Sequence, residues 1–113
     1  DEKFTERFRL RKVWSNFLNE YQVCIGPTWC NLPWPIDTDL DPKLGNEALK
    51  KSFYFIAPAN CLGLPAVALA TGVSEGIPTG IQIYADLFRD DLALLAAEII
   101  EKEKPCPSPI NPV

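Results

Sequence analysis

The side chains that could act as nucleophiles are serines and cysteines, and the sequence provides four cysteines and as many serines. They are Ser15, Ser52, Ser74 and Ser108, together with Cys24, Cys30, Cys61 and Cys106. Nucleophilic catalysis needs a base within reach of the hydroxyl or thiol, and the sequence contains no histidine. Ser52 lies beside Lys50 and Lys51, but adjacent positions of a helix point in different directions. Taken alone, the sequence therefore predicts no catalytic residue.

Metal and phosphate sites are not indicated either. The cysteines form no C-x-x-C pair, and without histidine the usual ligand set of a structural zinc site is missing. Asp37, Asp39 and Asp41 alternate in a D-x-D-x-D run, but the glycine and closing glutamate of a calcium-binding loop do not stand at the required offsets. No glycine belongs to a phosphate-binding G-x-G-x-x-G or G-x-x-x-x-G-K-[ST] motif. We expect solvated loop aspartates, no metal ion and no cofactor.

The composition is that of a globular protein, and it limits the possible partners. Hydrophobic residues make up 47% and charged residues 23% of the 113-residue chain. The net charge of −4 argues against nucleic acid and anionic membranes as partners. No apolar run approaches the roughly 18–20 residues of a membrane-spanning helix, and no signal peptide pattern is present. We therefore expect a cytoplasmic protein whose cysteines are reduced and buried.

The N-terminal half is predicted to contain two helices, a strand and a long loop. Residues 2–21 carry an apolar stripe at helical spacing, and no convincing N-cap precedes it. The stripe consists of Phe4, Phe8, Leu10, Val13, Trp14, Phe17, Leu18 and Tyr21. Residues 22–28 are typical of a short buried strand, and residues 28–46 of an irregular, proline-rich loop that its two tryptophans should order. Residues 47–56 could form the second helix.

The middle of the C-terminal half is predicted to be a β-hairpin. Residues 57–65 are small residues and prolines that lead into a strand. Residues 65–71 are apolar, which suits a strand buried on both faces. A turn of about five residues then connects it to an alternating strand at 79–85.

A third helix and a tail complete the predicted architecture. Asp90 or Asp91 can cap this helix. Its apolar stripe consists of Leu92, Leu95, Ala96 and Ile99. The proline-rich tail at 105–112 can neither be helical nor join a central strand, and it should lie extended over the surface. The order of elements predicts an α/β layer structure with about three strands and three helices.

Two motifs containing glycine and proline carry a family resemblance. Residues 58–66 spell P-A-N-C-L-G-L-P-A, and residues 76–82 spell G-I-P-T-G-I-Q. They closely resemble the P-A-N-x-x-G-L-P-A and G-x-P-x-G-x-Q runs in the C-terminal part of amidase signature family enzymes. Upstream, the family has a helix, a strand ending in a P-T pair and a proline-rich loop, which the pair at 27–28 and the loop at 32–35 resemble. The resemblance covers nearly the whole chain and implies part of a larger mixed β-sheet flanked by helices, the amidase signature fold.

The resemblance implies hydrolysis of a carboxylic amide by a Ser–Ser–Lys triad. Family members carry the triad in their N-terminal half, and nothing in this sequence matches that segment, so no catalytic residue is carried over. We expect residues 1–113 to be the C-terminal part of an amidase domain that lacks the catalytic half and is inactive alone. The absence of methionine fits a processed chain or a piece of a longer one. The alternative is a non-catalytic α/β binding or interaction module.

The resemblance also implies partners. A strand at 66–70 taken from a larger sheet would leave an unpaired apolar edge. We therefore expect the N-terminal part of the amidase, or a second copy of the chain, to bind there. The remaining expected partner is a small-molecule amide substrate.

Four residues are expected near that substrate because of their places in the family pattern. Trp29 and Cys30 follow the P-T pair, and Phe53 and Ile56 precede the P-A-N run. Their bulk and low polarity suggest an apolar or aromatic acyl or amide group in the substrate. The same aromatic side chains could equally fill the core of the protein instead of lining a pocket.

Overall fold

The computed structural model describes residues 1–105, in which four α-helices surround a three-stranded antiparallel β-sheet. The helices are α1 (Glu2–Tyr21), α2 (Gly45–Phe53), α3 (Ile56–Leu62) and α4 (Asp90–Glu103). The strands are β1 (Val23–Pro27), β2 (Ala66–Ser74) and β3 (Ile77–Ala85), in the order β1-β3-β2. The α/β class is confirmed, with one helix more than predicted. The tail predicted at 105–112 lies, except for Pro105, outside the described residues.

Helix α1 has the predicted length, but the prediction that it lacks an N-cap is wrong. The Asp1 carboxylate accepts a hydrogen bond from the Lys3 backbone N–H at 3.2 Å. This bond satisfies one of the free N–H groups at the helix start. The cap was missed because the pattern of apolar residues begins almost at once after it.

The apolar stripe of α1 is wider than the face that the helix buries. Leu18 is buried, and the half-buried Trp14 packs on Tyr84 with ring centroids 5.6 Å apart. Leu10 is also half-buried against this core, whereas the other large side chains of the stripe are exposed, Phe8 at 64%. These exposed residues are Phe4, Phe8, Val13, Phe17 and Tyr21. Helix α1 therefore leaves an unusually large apolar surface in contact with water.

The segment predicted as irregular at 57–65 instead forms helix α3. Pro58 is the third residue of this helix, in the first turn, where its missing N–H costs no intrahelical hydrogen bond. The helix ends at Gly63, whose positive φ of 71° lets its N–H bond the Ala59 carbonyl at 2.8 Å. The small residues at 57–65 are therefore compatible with a short helix, because the prolines lie either in its first turn or beyond its end.

Two arginines of α1 hold the end of α3. The Arg7 Nε donates a hydrogen bond to the Cys61 carbonyl, and the Arg11 Nε donates one to the Leu62 carbonyl, each at 2.7 Å. Carbonyls at a helix C-terminus lack intrahelical partners and carry partial negative charge. The guanidinium groups therefore both satisfy these carbonyls and fix the two helices against each other.

The predicted hairpin is confirmed, with a tighter turn than expected. The β-ladder extends to the pair Ser74 and Ile77, so only Glu75 and Gly76 form the turn. Both have positive φ, 53° and 77°, which is the backbone of a type I′ turn that matches the twist of the strands. A register shift after Ala70 adds a β-bulge to β2.

The prediction that the first hairpin strand is buried on both faces is wrong. In β2 the half-buried Val67 and Leu69 alternate with the exposed Ala66, Ala68 and Ala70. One face of the sheet is covered by α4, which contacts all three strands. The other face of β2 stays open, and its outer edge has no partner strand among residues 1–105.

The main core lies between the other face of the sheet and helices α1 and α3. Tyr84 of the central strand packs there against Leu18, Leu62 and the ring of Phe55. Burial, and then a hydrogen bond with the Cys24 thiol, raises the pKa of the Tyr84 phenol well above its ordinary value. The core thus joins the first helix to the end of the hairpin.

Helix α4 starts as predicted but is not capped as predicted. Arg89 occupies the cap position, and its side chain makes no capping hydrogen bond. Asp90 and Asp91 lie in the first turn, where the positive end of the helix dipole stabilises their negative charge. The residues buried on the sheet are Ala93 and Ala97. Of the large members of the predicted stripe, Leu92 is half-buried, whereas Leu95 and Ile99 are exposed, because the small alanines make the closest approach to the strands.

The cysteines differ from expectation in burial. Cys24 is half-buried, whereas Cys30 and Cys61 are exposed, and all three are free thiols. Cys30 lies in a loop and Cys61 on the last turn of α3, so neither position faces the core.

Over residues 1–105, no helix combines the length and the apolar character that crossing a membrane requires.

Candidate functional site

A cavity of about 690 Å³ opens between the loop after β1 and the open face of the hairpin. The loop contributes Thr28, Trp29 and residues 31–34, and the hairpin contributes parts of both its strands. Volumes of this size are typical of small-molecule sites. None of the residues that line the cavity is ionisable. The cavity can therefore bind an apolar group, and its lining supplies no acid or base.

One wall of the cavity is aromatic. The Trp29 ring packs edge to face on Trp34, with centroids 5.1 Å apart, and on Phe53, with centroids 5.2 Å apart. Edge-to-face contacts of this kind are the preferred geometry of aromatic pairs. The structure therefore brings together Trp29 and Phe53, two of the residues expected near substrate. Phe53 supports Trp29 from behind and does not itself line the cavity.

The opposite wall is made of small residues on the hairpin. Ala68 and Ala70 of β2 and Pro78 and Gly80 of β3 line this wall, and Ala70 is paired with Gly80 across the two strands. A methyl group at Gly80 would lie 2.8 Å from the Leu69 carbonyl oxygen, closer than side-chain carbons come to backbone. The glycine of the G-x-P-x-G-x-Q motif therefore lets the two strands approach, while the alanines leave room for the cavity.

The loop is fastened to α2 by Ser52, which is fully buried. The Asn31 Nδ2 donates a hydrogen bond to the Ser52 Oγ at 2.9 Å, and this Oγ donates to the Ala48 carbonyl, also at 2.9 Å. The backbone N–H of Cys30 donates to the Ser52 carbonyl at 3.4 Å. Sequence reasoning treated Ser52 only as a weak nucleophile. Its burial beside a loop distant in sequence carried no local signal.

The surroundings of Ser52 do not activate its hydroxyl. Its proton is donated to a backbone carbonyl, and the Lys51 Nζ turns outward to pair with the Glu47 carboxylate at 2.8 Å. The hydrogen bond of this pair, and then its charge attraction, lowers the pKa of the Glu47 carboxyl below its ordinary value. The Ser52 hydroxyl thus hydrogen-bonds to Asn31 and to the Ala48 carbonyl, and among residues 1–105 no base shares a hydrogen bond with it.

The other two residues expected near substrate lie outside the cavity lining. Cys30 is exposed beside Trp29, and only its backbone is held, by Ser52. Ile56 is half-buried at the start of α3. Trp34, in contrast, lines the cavity directly. Its place in the proline-rich loop was the available signal. The contact of all four residues with a substrate stays a prediction.

Metal binding has no visible site here. Within residues 1–105, no three cysteine, aspartate or glutamate side chains lie close enough together to share an ion. Asp41 instead accepts hydrogen bonds from the backbone N–H groups of Lys43 and Leu44. The acidic loop run therefore includes a residue that shapes a turn.

Comparison with known proteins identifies related sequences over most of the chain. No protein-family model matches it. An indoleacetamide hydrolase of Bradyrhizobium japonicum is 36% identical over 92 residues, which are 80% of this chain and 20% of that protein. An acylamidase of Rhodococcus erythropolis is 31% identical over 97 residues, which are 82% of this chain and 20% of that protein.

A solved structure resembles the fold as well. A glutamyl-tRNA(Gln) amidotransferase subunit of Thermotoga maritima superposes with a TM-score of 0.65 and 30% sequence identity, over 90% of this chain and 23% of that one. The chain thus spans about a fifth of the length of the relatives that it matches. These relatives are named as an indoleacetamide hydrolase, an acylamidase and an amidotransferase subunit, and none of the three is named as a non-catalytic binding module.

Proposed function

We propose, on the premise that the chain is homologous over most of its length to the amidase signature family, that it forms the C-terminal part of an amidase. The whole enzyme hydrolyses the C–N bond of a carboxylic amide. The observation that carries the proposal is the 36% identity to an indoleacetamide hydrolase over 92 residues. The Ser–Ser–Lys machinery that the resemblance implies would come from a preceding segment of the protein.

The role of this chain in the reaction is to form one wall of the substrate pocket. Trp29 is supported in this role by its place in the lining of the cavity, and Phe53 by its contact with Trp29. Cys30 and Ile56 are supported by their positions in the chain alone. Each of the four would act by contact with the non-reacting part of the substrate, which helps to orient the amide.

The substrate is a small amide with an aromatic or apolar substituent. Two indole rings and several small aliphatic side chains line the cavity, and no charged group does. A charged substituent would lose its hydration there without gaining a partner. The similarity to an indoleacetamide hydrolase agrees with an arylacetamide, in which a flat ring could stack on tryptophan.

The protein partner is the N-terminal part of the same amidase, or else a second copy of the chain. The unpaired outer edge of β2 could extend the sheet. The exposed aromatic residues of α1, such as Phe8 and Tyr21, would be covered by the same partner. The net charge of −4 and the free thiols support a cytoplasmic enzyme that binds neither nucleic acid nor membrane.

Release of ammonia from a panel of amides tests the proposed function. The protein as its gene encodes it is incubated with indole-3-acetamide, phenylacetamide, acetamide and glutamine. We expect the aromatic amides to be hydrolysed with the highest kcat/KM. Hydrolysis of glutamine alone would contradict the proposed substrate class. The absence of hydrolysis from every amide would contradict the amidase proposal.

A further inference from the structure

We propose that Ser52 is a positioning residue, which holds Trp29 and Trp34 in place through Asn31 so that the aromatic wall keeps its shape. The ligand of this wall rests on the proposed function, whereas the positioning itself does not. Ser52 is fully buried although it is polar, and polar groups are buried at a cost unless they are hydrogen-bonded.

The hydrogen bonds of Ser52 reach the loop directly after the tryptophan. Its carbonyl accepts from the Cys30 N–H, and its hydroxyl accepts from the Asn31 side chain. Outside the β-ladder, the hydrogen bonds that residues 28–34 make within the described chain are these two. Pro33, which has no N–H, cannot add another. Ser52 therefore fixes the position of Trp29 through Cys30 and Asn31, the two residues that follow it in the chain.

The two hydrogen bonds of the Ser52 hydroxyl differ in what depends on them. The Ala48 carbonyl, to which it donates, already belongs to the hydrogen-bond ladder of α2. The Asn31 amide, in contrast, has no other hydrogen bond to residues 1–105. Loss of the hydroxyl therefore falls on the loop and leaves the helix intact. We expect the loop, with both tryptophan rings, to become mobile relative to Phe53.

The positions of the rings can be measured without any substrate. The encoded protein is labelled with 5-fluorotryptophan, and the 19F resonances of Trp29, Trp34 and Trp14 are assigned by replacing each with phenylalanine. Ser52→Ala and Asn31→Ala are compared with Ser74→Ala, an equivalent change at the exposed end of β2. Asn31 is exposed, so its replacement tests the same contact without disturbing a buried site. Ser52→Cys, which keeps the shape of the side chain but replaces the hydroxyl by a larger thiol that hydrogen-bonds weakly, serves if Ser52→Ala does not fold.

We expect Ser52→Ala and Asn31→Ala to shift or broaden the resonances of Trp29 and Trp34 and to leave Trp14 unchanged. The double variant should act like either single one, because both remove the same contact. Ser74→Ala should change none of them. Unchanged resonances of Trp29 and Trp34 in the variants, or effects that add in the double variant, would overturn the proposal.

The effect on the ligand is measured separately. For an aromatic amide, we expect KM to rise about five- to tenfold in Ser52→Ala with kcat nearly kept, which corresponds to the loss of one net hydrogen bond. The KM for acetamide, which is too small to reach the wall, should not move. An equal loss for both amides would overturn the positioning role. If the resonances shift but the wild type hydrolyses no amide, the proposed function fails and the positioning stands.

Discussion

Trp29 meets Trp34 edge to face, with ring centroids 5.1 Å apart and ring planes inclined at 79°. The two residues belong to one loop without a strand or helix between them, so their arrangement depends on what lies around the loop. Phe53 supports Trp29 from α2, and Ser52 holds the following residues. A helix far along the chain therefore shapes the pocket wall.

Removal of the Trp29 ring should weaken binding of an aromatic substrate. For Trp29→Ala we expect KM for an arylacetamide to rise by about tenfold or more, because the substituent loses a large apolar contact and its edge-to-face partners. Steady-state kinetics with phenylacetamide measures it. Phe88→Ala is the control, since Phe88 is 91% exposed in the connector before α4. An equal rise of KM in both variants would refute a specific role for Trp29.

Gly80 should tolerate no side chain. The methyl group of Gly80→Ala would lie 2.8 Å from the Leu69 carbonyl oxygen, so the strands must separate at a cost of about 1–3 kcal/mol. We expect faster amide hydrogen exchange across residues 66–85, measured by mass spectrometry. In the control Gly72→Ala, the nearest atom is the Thr79 Oγ1 at 3.8 Å. Equal exchange in the two variants would contradict the interpretation that the close approach of the strands requires glycine at position 80.

Leu62 should be a large contributor to stability. Its side chain is almost fully buried in the core between α1, α3 and β3, so Leu62→Ala is expected to cost about 2–5 kcal/mol. Leu40→Ala, at a residue that is 72% exposed, should change the free energy of unfolding by less than about 0.5 kcal/mol. Urea unfolding of both variants measures the difference. A loss at Leu62 no greater than that at Leu40 would contradict the assigned core.

The buried phenol of Tyr84 should make the protein less stable at alkaline pH. Burial raises its pKa in the folded state, whereas the unfolded phenol ionises near a pKa of about 10. The stability from this group is therefore complete below about pH 10 and is lost as the pH rises through the raised folded value.

The variant Tyr84→Phe isolates that contribution. Above about pH 10 we expect the wild type to lose up to about 1.4 kcal/mol per pH unit more than the variant. Urea unfolding between pH 8 and about pH 11 gives both slopes. Parallel slopes for the two proteins would mean that Tyr84 ionises equally in the folded and unfolded states.

The sequence predicted those elements whose apolar pattern and turn residues lie close together. Helix α1 and the hairpin were both expected, because periodicity and the Glu75–Gly76 turn are local signals. Helix α3 was missed, since Pro58 is permitted in a first turn and Gly63 ends the helix only through its positive φ. The burial of α4 was misjudged because contact with the sheet selected Ala93 and Ala97 over the larger leucines.

The site was predicted less completely than the fold. Trp29 and Phe53 were both singled out from their places in the chain, and their contact is tertiary. The role of Ser52 had no sequence signal, because Asn31 lies 21 residues away from it along the chain. The contact between Asn31 and Ser52 forms only when α2 packs against the loop, so no local sequence pattern indicates it.

Photo-crosslinking tests most directly whether this pocket wall binds an aromatic amide. The encoded protein is irradiated with a phenylacetamide that carries a diazirine on its ring, with and without excess phenylacetamide, and the labelled peptides are sequenced. We expect labelling in residues 28–34 and in the hairpin at 68–80, suppressed by the competitor and reduced by Trp29→Ala. Saturable labelling confined to other segments of the protein would contradict the assignment of this chain as the substrate wall.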